Sequence, residues 1–143
     1  WSSDVCSSDL VENQQAADER IPHLLKVPAA VRFLSCEPLL SEVNLDQWLP
    51  WCCDRAEDHC TSPCPNCREH GRKYEEPGIH WVICGGESGP DARPMQIEWA
   101  ESIVDQCRAA GVACFVKQLG GVRDKRGDMS TFPKSLQIRE FPR

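Results

Sequence analysis

Trp81 to Pro94 reads W-V-I-C-G-G-E-S-G-P-D-A-R-P, and this stretch decides the fold. Trp81-Val82-Ile83-Cys84 is an unbroken apolar run, which predicts a short strand buried on both faces. It stops at Gly85-Gly86, where the missing Cβ atoms allow a tight turn or the close approach of a ligand. Glu87, Ser88, Asp91 and Arg93 follow at once. A buried parallel strand ending in glycines and polar side chains is how α/β folds build sites, at the carboxyl ends of their strands. A Gly-rich turn carrying solvated charges would read the same way, so the neighbours must decide.

Working outward, Val31 to Cys36 is a second strand that ends in Glu37-Pro38, which puts Glu37 in the same kind of position as Glu87. Val112 to Val116 is a third, finishing at Lys117-Gln118 before Gly120-Gly121. Between the last two strands, Met95 to Ala110 carries Ala100, Ile103, Val104, Cys107 and Ala110 on one helical face, with Gly111 as a natural stop. Upstream, Asn13 to Lys26 reads as a helix with Ala17, Ile21, Leu24 and Leu25 on one side; Pro22 predicts a kink or two short helices. Leu45 to Leu49 has room for one helical turn, and Ser135 to Ile138 for a short edge strand. Strands alternating with helices predict an α/β fold with parallel strands and crossover helices. Three strands make a thinly covered open sheet, so the chain reads as part of something larger.

The chain has 143 residues, 41% hydrophobic and 27% charged, which is enough for one domain with a core. No apolar run approaches the ~20 residues that cross a bilayer, and no signal-peptide pattern is present, so no membrane partner and a cytoplasmic location are expected. The net charge of −6 argues against indiscriminate nucleic-acid binding by the whole chain. From Leu119 onward, however, six Lys/Arg face three Asp/Glu, a local +3. That tail reads either as a solvated face or as a contact for phosphates.

Residues 1–10, W-S-S-D-V-C-S-S-D-L, have no amphipathic pattern, repeat Ser-Ser-Asp at a five-residue step, and resemble translated sequencing adapter. They are set apart as non-native or disordered, leaving 11–143 as the domain. Of ten cysteines, Cys36, Cys84, Cys107 and Cys114 lie in or beside apolar segments and read as small core residues. Cys52, Cys53, Cys60, Cys64 and Cys67 crowd into a polar insert, 52–77. In a reducing compartment such a cluster points to metal before disulfides. Zinc on Cys53, Cys60, Cys64 and Cys67, with Cys52, His59 and His70 close by, is the leading reading; Cys64-Pro65-Asn66-Cys67 would be one chelating knuckle. Thiols without metal, or an iron–sulfur cluster, are the alternatives.

Three blocks, A-D-E-R-I-P-H-L-L-K-V-P-A-A-V-R-F-L-S-C-E-P-L-L, H-W-V-I-C-G-G-E-S-G-P-D-A-R-P-M and D-Q-C-R-A-A-G-V-A-C-F-V-K-Q, resemble the phage gene product 37 / gene product 68 family in the family's order. That family is uncharacterised and similar to radical S-adenosylmethionine enzymes with a (β/α) barrel. The resemblance implies the C-terminal half of such a barrel, with an iron–sulfur cluster and S-adenosylmethionine in the full-length protein and the cluster cysteines upstream of Val11. Cys60-x3-Cys64-x2-Cys67 has the cluster spacing, but lies in the insert with Asn66 before the last cysteine.

Under the resemblance, Glu37, Gly85, Gly86, Glu87, Ser88, Arg93, Lys117 and Gln118 converge on one mouth. Gly85-Gly86 would admit the cofactor, Glu87 would accept from its ammonium, and Arg93 or Lys117 would meet its carboxylate. A structural set of ion pairs at a barrel rim is the plain alternative. The four histidines have no triad-like company, so nucleophilic catalysis is not predicted. Two functions follow. One is an enzyme part, inactive by itself, acting on an unknown small-molecule or nucleic-acid substrate. The other is a zinc-stabilised phage accessory module that binds nucleic acid or a protein partner.

Overall fold

The computed structural model describes residues 6–49, 78–123 and 125–142. Four strands, β1 (Cys6–Leu10), β2 (Val31–Cys36), β3 (Trp81–Gly85) and β4 (Ala113–Gln118), form one sheet in the order β1-β2-β3-β4, with every pairing parallel. Among the described residues, two helices, α1 (Gln14–Leu24) and α2 (Ile97–Ala110), connect β1 to β2 and β3 to β4. The expected α/β class with parallel neighbours is what forms.

Side-chain parity divides the sheet into unlike faces. Leu34 and Cys36 of β2, Val82 and Cys84 of β3, and Cys114 and Val116 of β4 are all buried in one cluster. Ala17, Ile21 and Leu24 of α1 and the five predicted residues of α2 close that cluster from the helix side. The loop after β2 adds Leu39, Val43 and Leu45, and Gln106 of α2 ties it down by donating to the Val43 carbonyl at 2.9 Å and accepting from the Leu45 N–H at 2.6 Å. The other parity, including Phe33, Trp81, Ile83 and Phe115, is only half-buried. The run Trp81–Cys84 is therefore sealed on one face, not on both, because both helices pack on the same side of the sheet.

Three local expectations change. Residues 6–10, set apart from the fold in the sequence reading, form the edge strand β1. No side chain of β1 is buried; the segment pairs through backbone groups, which any sequence offers to an open edge. Pro22 does not split α1, because it sits in the last turn, where its missing N–H removes a single helical bond. Asn13 caps that helix, its side chain accepting from the Ala16 N–H at 2.9 Å. The edge strand expected at Ser135–Ile138 is displaced. Lys134–Leu136 is a 3-10 turn that buries Leu136, and the chain reaches the free edge of β4 only afterwards, with a single antiparallel bridge at Arg139. Val116 N–H donates to the Ile138 carbonyl, and Glu140 N–H to that of Cys114, each at 2.9 Å.

Candidate functional site at the carboxyl ends of the strands

Glu37 follows β2 directly, and Lys117 is the penultimate residue of β4; both belong to the half-open face. Lys117 Nζ lies 3.1 Å from Glu37 Oε2, with the Glu37 side chain 15% exposed and that of Lys117 55%. Gly85 lies between them. A Cβ there would sit 3.0 Å from Glu37 Oε1 and 3.1 Å from the Gln118 carbonyl oxygen, so only glycine leaves the carboxylate its seat. The Glu37-Pro38 peptide bond is cis.

Gly86 has a different role from the one its sequence suggested. A Cβ on Gly86 would collide with the Leu119 carbonyl and lie 3.0 Å from the Gly120 nitrogen. Gly86 N–H donates to the Gln118 carbonyl at 3.0 Å, and the Gln118 side-chain amide donates back to the Gly86 carbonyl at 2.8 Å. Gly121 N–H donates to the Glu87 carbonyl at 2.8 Å, and Gly120, at φ 76°, allows the crossing. The two glycine pairs thus zip neighbouring strand ends together. At the Cβ position of Gly86 the close approach is chain against chain.

Glu87 and Arg93 answer each other. Arg93 Nε donates to Glu87 Oε2 at 2.8 Å and Nη2 to Oε1 at 2.9 Å, while the Arg93 backbone N–H adds a third bond at 2.9 Å. The Arg93 side chain, then its backbone N–H, hold the Glu87 carboxyl down to about 2. This pair closes the 87–93 turn on itself. Ser88 is exposed and forms a bridge with Gly121 through the backbone. Of the predicted mouth residues, the fold brings together Glu37, Gly85, Lys117 and Gln118 as one group, and Glu87 with Arg93 as another.

The metal and histidine expectations divide differently. Cys53, Cys60, Cys64 and Cys67, with Cys52, His59 and His70, lie outside the described residues. Among the described residues, no three His, Cys, Asp or Glu are placed to hold a metal. Cys36, Cys84, Cys107 and Cys114 are buried on the sealed face, as predicted for core residues. Burial pushes the Cys36 thiol well up, and donation to the Cys114 sulfur does the same for Cys84 and Cys107. His80 Nδ1 accepts from the Arg32 N–H at 3.0 Å, and burial lowers its pKa, so it serves the β2–β3 seam as a neutral acceptor.

The sequence reading named Lys117 and the basic tail from Leu119 but missed the aromatic residues beside the mouth. An open cavity of about 790 Å3 is lined by Phe115, Lys117, Lys125, Arg126, Asp128 and Arg139, among others. Phe33, Trp81, Phe115 and Phe141 form an aromatic row on the same face, with ring centroids 5.3 to 6.2 Å apart between neighbours. The signal was present: Phe33, Trp81 and Phe115 stand at the opposite parity from Leu34, Val82 and Cys114. Among the described residues, no helix is long and apolar enough to cross a membrane.

A family model described as protein of unknown function (DUF5131) matches residues 1–141. No curated protein and no solved structure matches the chain.

Proposed function

The chain belongs to the family described as protein of unknown function (DUF5131), and we propose that it is a sector of a (β/α) barrel that binds a zwitterionic small molecule of the S-adenosylmethionine class at Glu37 and Lys117. The observation that carries this reading is the strand order. Parallel strands that follow one another in chain order, with both helices on one side, are the arrangement of a barrel sector. A doubly wound sheet reverses its order at a switch point and covers both faces. On a barrel sector, the face bearing Glu37 and Lys117 is the inner one, and their position is the catalytic end. The resemblance to the phage gene product 37 / gene product 68 family, and through it to radical S-adenosylmethionine enzymes, is the source of the ligand class.

In this reading Glu37, pinned against Gly85, accepts hydrogen bonds from the ligand's ammonium. Lys117, the more exposed partner, turns from Glu37 to the ligand's carboxylate, so one internal ion pair is exchanged for two charge-assisted contacts. Glu87 and Arg93 shape the turn beside the ligand and do not hold it. The described residues do not fit an iron–sulfur cluster: their buried cysteines face away from the mouth, and no step through a cluster is assigned to them. The described residues are accordingly assigned binding of the ligand and not its cleavage.

Isothermal titration tests the site. Saturable binding of S-adenosylmethionine should be lost in Glu37→Gln and kept in Arg108→Gln, whose ion pair with Asp105 lies on the solvent side of α2. Absence of binding by the unaltered chain, or equal binding by Glu37→Gln, would overturn the reading. Anaerobic iron–sulfide reconstitution and reduction should release no 5′-deoxyadenosine. Release abolished by Cys64→Ala would move the cluster into the insert.

A further inference from the structure

One residue clips the amino end of β3 to β2. His80 N–H donates to the Arg32 carbonyl at 2.8 Å, and the Arg32 N–H donates to His80 Nδ1 at 3.0 Å. The paired register of the two strands starts just beyond, with Phe33 beside Trp81. A side-chain nitrogen thus stands where the ladder would offer a backbone carbonyl. To accept there, the imidazole must be neutral and carry its proton on Nε2. A carbonyl keeps its lone pairs at every ordinary pH, whereas an imidazole does not.

Protonation would put a hydrogen on Nδ1, in the path of the Arg32 N–H. Two donors cannot bond each other, so the side-chain half of the clip is lost. The surroundings work in the same direction. Arg32 is 9% exposed, and its Nε and Nη2 donate to the Val27 carbonyl at 2.9 and 2.7 Å. Burial, then the Arg32 charge, hold the His80 imidazole below its ordinary 6.5. Charged groups on the neighbouring elements are paired or solvated. Arg108 in the last turn of α2 lies 2.8 Å from Asp105, and His23 and Lys26 at the end of α1 are exposed. On the tail, the Glu140 carboxylate accepts from the Cys114 N–H at 3.1 Å.

The clip matters because of its neighbours in the chain. Ile79 is fully buried, but its N–H reaches the Trp48 carbonyl only at 3.4 Å, near the outer limit of a hydrogen bond. Trp81 belongs to the aromatic row, its ring beside those of Phe33, Phe115 and Phe141, and its indole N–H donates to the Glu140 carbonyl at 2.9 Å. We propose that His80 is a proton-operated latch: when Nδ1 takes up a proton, the amino end of β3 parts from Arg32 and frees Trp81 from the tail. The pairing farther along, at Cys36 and Cys84, stays closed. The latch is independent of the ligand reading, because none of its groups is Glu37 or Lys117.

The test is NMR on the whole chain, following the His80 imidazole and amide hydrogen exchange together from about pH 8 to about pH 5, where histidines titrate. The stabilisation by the clip is complete above 6.5 and is lost as pH falls through the lower folded value. Between those limits the opened form takes up the proton and the closed form does not. Protection of the Arg32 amide should therefore fall about ten-fold per pH unit within that window. The Trp81 indole N–H should follow the same course, while the Cys36 and Cys84 amides keep their protection. His80→Asn retains an acceptor near the Nδ1 position without the titration, and should keep the Arg32 amide protected throughout. His80→Phe has no acceptor and should leave it poorly protected at every pH. The parent decides the case even where a variant fails to fold, because imidazole and amides are read in one titration. Protection at Arg32 that ignores the His80 midpoint, an indole N–H that stays protected through it, or the parent's acid response surviving in His80→Asn would each overturn the proposal.

Discussion

The two faces of this sheet carry the same strands and opposite chemistry. On the sealed face, Leu34, Cys36, Val82, Cys84, Cys114 and Val116 meet two helices and a loop, and none is more than 2% exposed. On the other face, Phe33, Trp81, Ile83 and Phe115 are covered in part by the chain's own tail, and Glu37 and Lys117 stand at its carboxyl end. Parity along a strand thus separates what holds the protein together from what it offers to a ligand. Stability and recognition alternate residue by residue.

The strongest way to break that comparison is to change neighbours. Leu34→Ala removes a fully buried side chain and should lower the free energy of unfolding by about 3 kcal/mol, including the cavity it leaves. Phe33→Ala, one residue earlier, removes a larger side chain but chiefly its contact with Trp81, and should cost about 1 kcal/mol. Urea denaturation of both variants decides the matter. Equal losses would mean that the two faces are equally load-carrying, and the distinction between core and ligand face would fail.

A smaller effect sharpens the contrast at the strand ends. Gly86→Ala drives a methyl group into the Leu119 carbonyl and should destabilise by about 2 kcal/mol, in the range of overpacked interiors. Gly127→Ala places its methyl no closer than 3.6 Å to a flexible lysine side chain, and should stay within about 0.5 kcal/mol of the parent. If thermal melts found Gly86→Ala as stable as Gly127→Ala, the zipped glycines would revert to an ordinary loop, and the space at Gly86 would again be open to a ligand.

These cases also mark what the sequence could disclose. Strands β2, β3 and β4, the helix before Gly111 and its five buried residues were legible because each rests on a short-range period. The positions of Glu37 and Lys117 after buried strands were legible too. Their pairing across eighty residues was not, because no local pattern records which charges will meet. Gly85 and Gly86 were ambiguous for a physical reason: a missing Cβ is the same signal whether a ligand or the chain's own backbone fills the space. The edge position of Ile138–Glu140 depended on where Leu136 finds burial, a tertiary matter. The aromatic row was written in the alternation of Phe33-Leu34, Trp81-Val82 and Cys114-Phe115. An apolar run hides that alternation, because both parities look equally suited to a core.

The smallest effect concerns the two ion pairs and separates a pair that closes a turn from one that is available to a ligand. Glu87 accepts three bonds from Arg93, and its carboxyl is held near 2, against an ordinary value of 4.5. A folded-state pKa below the unfolded one means that the stabilisation is fully present above the ordinary value and is lost as pH falls through the folded one. Between those limits the unfolded chain binds the proton and the folded chain does not, so stability declines with acidification only within that window. Both partners face solvent, so the effect on global stability is small and the site itself is the place to measure it. A carbon-detected NMR titration of the Glu87 carboxyl should give a midpoint near 2 in the parent and a return toward the ordinary glutamate range in Arg93→Gln. Added S-adenosylmethionine should leave that midpoint where it is, because Glu87 is already committed to Arg93 and the ligand is assigned to Glu37 and Lys117. A ligand-dependent shift of the Glu87 midpoint would move the binding role to the 87–93 turn and restore the first expectation for that residue.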